Sequence, residues 1–286
     1  MSVIEIKNDR LSVGINTFGS ELAYIKGCNG KDYLWGGDPR VWSLRAPVLF
    51  PICGGLKEGK YTYDGSEYRL PKHGFAEDSE FSGKRISDTC AEFTLTSNVD
   101  TLKVYPFEFC LKIVFELVEN KLKVTNIVEN KSGKTMYFSI GAHEGYSCPE
   151  GIEEYKIIFD EPETLYSYIL DGNLLEKNSV RIIENSRELP LKYEYFAVDA
   201  LVFKNIDFNR ATLVKKDGTK IVSVEFDKAD YFLLWTKPGA KYICLEPWCG
   251  VQDIVGSPYE LKKKEGIIEL ESQKSFTFTH TIECFR

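Results

Sequence analysis

The chain of 286 residues is 43% hydrophobic and 28% charged, a balance that gives a folded globular protein an ample core and excludes disordered and fibrous classes. Its net charge of −7, with no basic stripe, argues against a nucleic-acid partner, whose phosphates it would repel. No apolar run reaches the roughly 18 residues of a membrane helix, and MSVIEIKNDRL is charged too early for an export signal, so the expectation is a cytoplasmic protein with no membrane partner.

Taken in chain order, the first turn signal is Asn29-Gly30, and Asp64-Gly65, Asp171-Gly172 and Asp217-Gly218 follow it at hairpin-like positions. Ahead of the second lies GGLKEGKY, Gly54 to Tyr61, close in spelling to a phosphate-binding loop. Such a loop needs a Ser or Thr after its lysine and a helix start to face the phosphates. Tyr61 stands there instead, and YTYDGSEY is aromatic and β-prone, so a glycine-rich turn into a hairpin is expected. In PFEFCLKIVFEL the residues Phe107, Phe109, Leu111, Ile113, Phe115 and Leu117 alternate onto one face. Leu122, Val124 and Val128 continue the pattern beyond an Asn120 turn, which predicts a second hairpin. LYSYILDGNLLEKN comes nearest to a helical pattern and is broken by Gly172, while KIVSVEF and SFTFTHTIECF alternate as strands. Short strands, frequent turns and almost no helix predict an all-β sandwich or barrel. Without a linker or a fixed-period repeat, residues 1–286 are expected to form a single domain.

The 8 cysteines are irregularly spaced, which favours reduced, mostly buried thiols over a disulfide framework. Cys244 and Cys249 have no second pair to complete a zinc site, so no metal is expected. Only 3 histidines occur. His280 shares a strand face with Phe276, Phe278 and Ile282, the usual setting of a hydrogen-bonded core residue. His73 in PKHGFAEDSEF and His143 in SIGAHEGYSCP each adjoin a glycine, which lets backbone or ligand approach closely. Asp199 in YEYFAVDALVF is a carboxylate between apolar runs and needs a partner. Glu246 in YICLEPWCG lies among Leu245, Pro247 and Trp248, where partial desolvation raises a carboxyl toward the range of a general base. An ion pair with Lys237 or Lys241 is the competing role for it. Hydrolase nucleophile, metalloprotease and dinucleotide signatures are absent. Imidazoles, carboxylates and 13% aromatics suit proton transfer on a polyhydroxylated substrate.

These landmarks carry a family resemblance. FGSELAYIKGCNGKDYLWGGDPRVW, APVLFPICGGLKEGKY, HGFAEDSEF, IGAHEGY, FAVDALVF and LEPWCG resemble, in order, the aldose 1-epimerase (galactose mutarotase-like) family in its shorter bacterial branch. The resemblance implies a large antiparallel β super-sandwich and interconversion of the α and β anomers of a monosaccharide by reversible opening of the pyranose ring. It implies Glu246 as the base at the C1 hydroxyl and His143 as the acid at the ring oxygen. His73, Asp199 and Trp248 would bind the sugar, GGLKEGKY would form a wall of its cleft, no cofactor would be needed, and a homodimer is left open. Three positions depart from the family's pattern: Gly55 and Glu77 stand where arginines are common, and Glu144 where proline is. Fewer guanidiniums and more carboxylates make an acidic mouth, which argues for a neutral aldose over a hexose 6-phosphate. Lys57 or Lys72 would then be the substitute cation. A catalytically weak sugar-binding protein and a glycosidase using Glu246 with Asp199 or Glu144 are the alternatives.

Overall fold

The computed structural model describes residues 2–286. A three-stranded antiparallel sheet comes first: β1 (Val3–Lys7), β2 (Leu11–Asn16) and β3 (Leu22–Gly27). An irregular stretch then runs to the hairpin β4 (Lys60–Tyr63) and β5 (Ser66–Arg69). Asp64 and Gly65 turn it with φ of 47° and 77°, the left-handed pair that a tight two-residue hairpin requires. No helix follows Lys60, so the phosphate-loop spelling is accidental.

β6 (Ser82–Ser87) and β7 (Cys90–Thr96) lead to the short helix α1 (Val99–Val104), then to the hairpin β8 (Phe109–Val118) and β9 (Lys121–Asn130). β10 (Met136–Phe138), β11 (Ile140–Gly141) and β12 (Glu144–Ser147) are short. A long arm follows, β13 (Tyr155–Asp171) and β14 (Leu174–Pro190), turned at Gly172, so the stretch nearest to a helical pattern is a strand pair. The remainder is β15 (Leu201–Lys204), β16 (Arg210–Lys215), β17 (Lys220–Phe226), β18 (Tyr231–Trp235), β19 (Tyr242–Cys249), β20 (Ile268–Leu270) and β21 (Ser275–Cys284).

Nine of these strands form one antiparallel sheet in the order β14-β13-β16-β17-β21-β9-β8-β7-β6. A five-stranded sheet, β11 and β12 on β19, then β18 and β15, lies against it. Both sheets fill one buried cluster, with Leu111, Phe115, Val224 and Ile282 from the first meeting Phe203, Phe232, Leu234 and Leu245 from the second. Phe232 of β18 packs 5.7 Å from Phe226 of β17 across that gap. The alternation of Phe107 to Leu117 is therefore a core-facing stripe, and the fold is all-β with antiparallel sheets. All eight cysteines are free thiols and six are buried.

Candidate active site

The five-stranded sheet is covered on both sides, and that decides where the chemistry sits. Every residue of β19 is buried. Period-two alternation sends Ile243 and Leu245 into the main core, while Tyr242, Cys244, Glu246 and Trp248 share the opposite face. β18 lies alongside in register, Leu233 opposite Glu246 and Trp235 opposite Cys244, so Leu233 and Trp235 extend that face. His143 precedes β12 on the other flank. Its Nε2 lies 3.5 Å from Glu246 Oε2, and the two residues are 8% and 1% exposed.

This face forms the floor of a cleft with a cavity volume of about 230 Å³. His73, Asp199 and Trp248 line it with His143 and Glu246, so four separated stretches of sequence converge on one hollow. Gly54 contributes a wall. His73 adopts φ 68°, a left-handed conformation that is strained for a ring-bearing side chain. Gly54 holds it there from both ends: its carbonyl accepts from the His73 amide at 2.9 Å, and its own N–H donates to His73 Nδ1 at 3.1 Å. Because Nδ1 accepts, the ring proton is on Nε2, and His73 is a hydrogen-bond donor. Trp248 anchors by donating from Nε1 to the Ala142 carbonyl at 3.0 Å.

Electrostatics follow from dryness. Trp42 lies tilted against the His143 ring with centroids 5.4 Å apart, and Trp235 meets it edge-on at 5.6 Å. Burial drives the imidazole down to about 3, with Lys72 adding to the effect. The same burial pushes Glu246 well above the usual carboxylate range; Lys72 opposes the shift, and Asp199 and Glu144 reinforce it. His73 is likewise held well below its ordinary value by burial, His143 and Lys72. Burial thus disfavours the charged form of both members of the pair.

The ion-pair alternative for Glu246 does not occur: Lys237 donates to the Val41 carbonyl, and neither it nor Lys241 reaches the carboxylate. Asp199 finds its partner in Lys72 at 3.7 Å. Lys72 is also the cation in the cleft, whereas Lys57 lies over the Tyr259 ring, 4.5 Å from its centroid. Glu77 does line the cleft, and burial raises it to about 7. Glu144 does not. It is one residue along from His143 on a strand, so its side chain points to the opposite face, where Oε1 lies 2.8 Å from His280 Nε2 in the interior. The expectation that Glu144 acidifies the mouth is therefore corrected, and the buried His280 expected in the core has found its hydrogen bond. Gly55 has no room for a side chain: a Cβ there would stand 2.6 Å from Asn173 Cβ at the tip of the β13–β14 arm. Sequence reading missed Trp42 and Trp235, whose ring contacts join stretches about a hundred residues away from His143; with 4 tryptophans in the chain, their rarity was the available signal.

A profile of the aldose 1-epimerase family matches residues 2–282. Protein LacX, plasmid, of Lactococcus lactis subsp. lactis is 31% identical over 297 residues, covering 96% of this chain and 98% of that protein. Among solved structures, a galactose mutarotase related enzyme from Lactobacillus acidophilus superposes with a TM-score of 0.95 at 29% identity, covering 100% and 98% of the two chains. A galactose mutarotase-like protein from Lactobacillus casei gives 0.94 at 25% identity, covering 99% and 100%. The profile runs nearly end to end and the relatives share the whole architecture, not a fragment of it: the chain belongs to the aldose 1-epimerase family.

Proposed function

We propose that the protein is an aldose 1-epimerase that interconverts the anomers of a neutral aldose. The observation that carries this reading is the buried pair Glu246 and His143, 3.5 Å apart on the cleft floor. Anomer exchange needs a proton taken from the C1 hydroxyl and one given to the ring oxygen, and the pair supplies both. Glu246 removes the C1 proton and His143 delivers one to the ring oxygen, so the C1–ring-oxygen bond breaks as the aldehyde C=O forms. Rotation about C1–C2 turns the other aldehyde face, and closure returns both protons.

Carboxylic acid with imidazole and carboxylate with imidazolium are two forms of the pair with one proton count. Burial favours the uncharged form. Sugar hydroxyls donating to Glu246 stabilise its carboxylate, so binding prepares the base. His73 donates from Nε2 to a ring or neighbouring oxygen, Asp199 accepts from ring hydroxyls, and Trp248 lies against the sugar's C–H surface. Glu77, Asp199 and Glu246 face a single lysine, already paired, which suits an uncharged substrate better than a phosphate dianion.

Polarimetry of freshly dissolved α-glucose and α-galactose tests the reading: catalytic amounts of protein should speed anomerisation above the buffer rate. Anomerisation left at the buffer rate across several aldoses, with saturable binding retained, would establish a sugar-binding protein instead. Hydrolysis of aryl glycosides would mark a glycosidase.

A further inference from the structure

Cys244 lies two residues before Glu246 on the same strand face, and the fold brings it to His143 instead of to Cys249. One ligand atom from each of His143, Cys244 and Glu246 lies within 4.8 Å of the other two, and all three residues are buried. We propose that this triad binds a thiophilic divalent cation, Zn²⁺ or Cd²⁺, and that the bound ion switches off the acid–base pair.

Imidazole, thiolate and carboxylate are the donors that zinc takes, at about 2.0–2.3 Å, which places neighbouring ligand atoms of a tetrahedron about 3.3–3.6 Å apart. His143 and Glu246 already meet that spacing at 3.5 Å, and the sulfur, no more than 4.8 Å from either ligand atom, comes within it by a shift of at most about 1.5 Å. Three protein donors leave the fourth position to water on the cleft side, because His143 and Glu246 both line the cleft. A second observation points to a ligand. Glu246 Oε1 is buried with no protein partner, a costly condition that an ion bound by both oxygens of the carboxylate relieves. No other grouping of this kind occurs among the described residues. Lys72 opposes a cation, but it is paired with Asp199, and Glu77 adds a further carboxylate to the lining. The ligands bond in their deprotonated forms, so the thiol proton and any carboxyl proton pass to solvent and no oxidant or reductant is involved. A metal on Glu246 and His143 occupies the lone pairs that would move the sugar's protons, so the occupied protein is inactive.

Titration of the metal-free full chain with Co²⁺ and Cd²⁺ tests this. The expected results are one site per chain, a thiolate-to-cobalt charge-transfer band and anomerisation that is suppressed by Cd²⁺ and restored by a chelator. Cys244→Ser should lose the band and at least about tenfold in Cd²⁺ affinity, since loss of even an outer-shell partner costs that much. Its anomerisation should lose sensitivity to the metal by a similar factor. Saturating neutral aldose should weaken Cd²⁺ binding to the unmodified chain, a readout that stands whether or not the serine variant folds. Absence of a one-site isotherm, a band retained in Cys244→Ser, or Cd²⁺ binding indifferent to an aldose that the protein is measured to bind would overturn the proposal. Binding and absorption are read without turnover, so they decide the metal site even if the epimerase reading itself fails.

Discussion

Glu246 carries a stability cost that an amide would not. Its carboxyl is held well above the usual range by burial, so the ionised form is disfavoured in the folded protein at neutral pH. Glu246→Gln should lower kcat/KM at least about 100-fold, the lower end for removing a positioned base, while raising the melting midpoint by about 2 °C. Polarimetry and calorimetry on the same preparation check both, and a fall in both would contradict the assignment. The pH profile follows from the pair. His143 gains a second proton only near about 3, and Glu246 loses its own only well above the carboxylate range. The kcat/KM profile should therefore stay flat through 6.5, where an ordinary histidine titrates, and fall on the alkaline side as Glu246 ionises. Glu77 offers a third test. Its folded value of about 7 exceeds its ordinary 4.5, so it stabilises the fold fully below 4.5 and loses that contribution as pH rises through 7. The melting midpoint of Glu77→Gln should therefore depend less on pH across that window than the unmodified chain's.

At the scale of elements, Asp253 ties together the segments that wall the cleft. Its carboxylate accepts from Lys264 Nζ at 2.6 and 2.7 Å and from the Lys57 amide at 2.8 Å. Its own amide donates to the Gly55 carbonyl, and its carbonyl accepts from the Leu175 amide in β14. Both members of the ion pair are nearly sealed from water. Asp253→Asn strands the Lys264 charge and should cost about 3–5 kcal/mol in a denaturant titration, with weakened sugar binding because Gly54 and the arm tip loosen together. Much at this scale was legible in the sequence. All four Asn-Gly and Asp-Gly pairs turn as expected because their left-handed backbone requirement is local, and period-two runs became core-facing strands. α1 escaped notice because six residues are too few to display a 3.6-residue period; its signal was the cap, Asn98 accepting from the Thr101 amide while Thr101 accepts from that of Asn98. The phase of Glu144 was hidden by the irregular step between β11 and β12. The convergence of His73, Asp199 and Glu246 could be proposed only by resemblance, since contacts between strands far apart in sequence leave no periodic trace.

For the whole molecule, the shared cluster between the sheets takes residues from Ile6 to Cys284, so neither sheet keeps a core of its own. We propose that residues 1–286 unfold as one unit; scanning calorimetry should show a single transition whose calorimetric and van't Hoff enthalpies agree, and two resolved transitions would refute this. The position of β21 carries a further consequence. It pairs with β17 on one side and β9 on the other, in the middle of the nine-stranded sheet, and brings His280 to the back of the strand next to His143. A nascent chain that has left the ribosome only as far as β19 already owns each group assigned to catalysis. It still has two open sheet borders flanking an empty slot, so during translation those edges stand open to mispairing although every group of the proposed site has already been made.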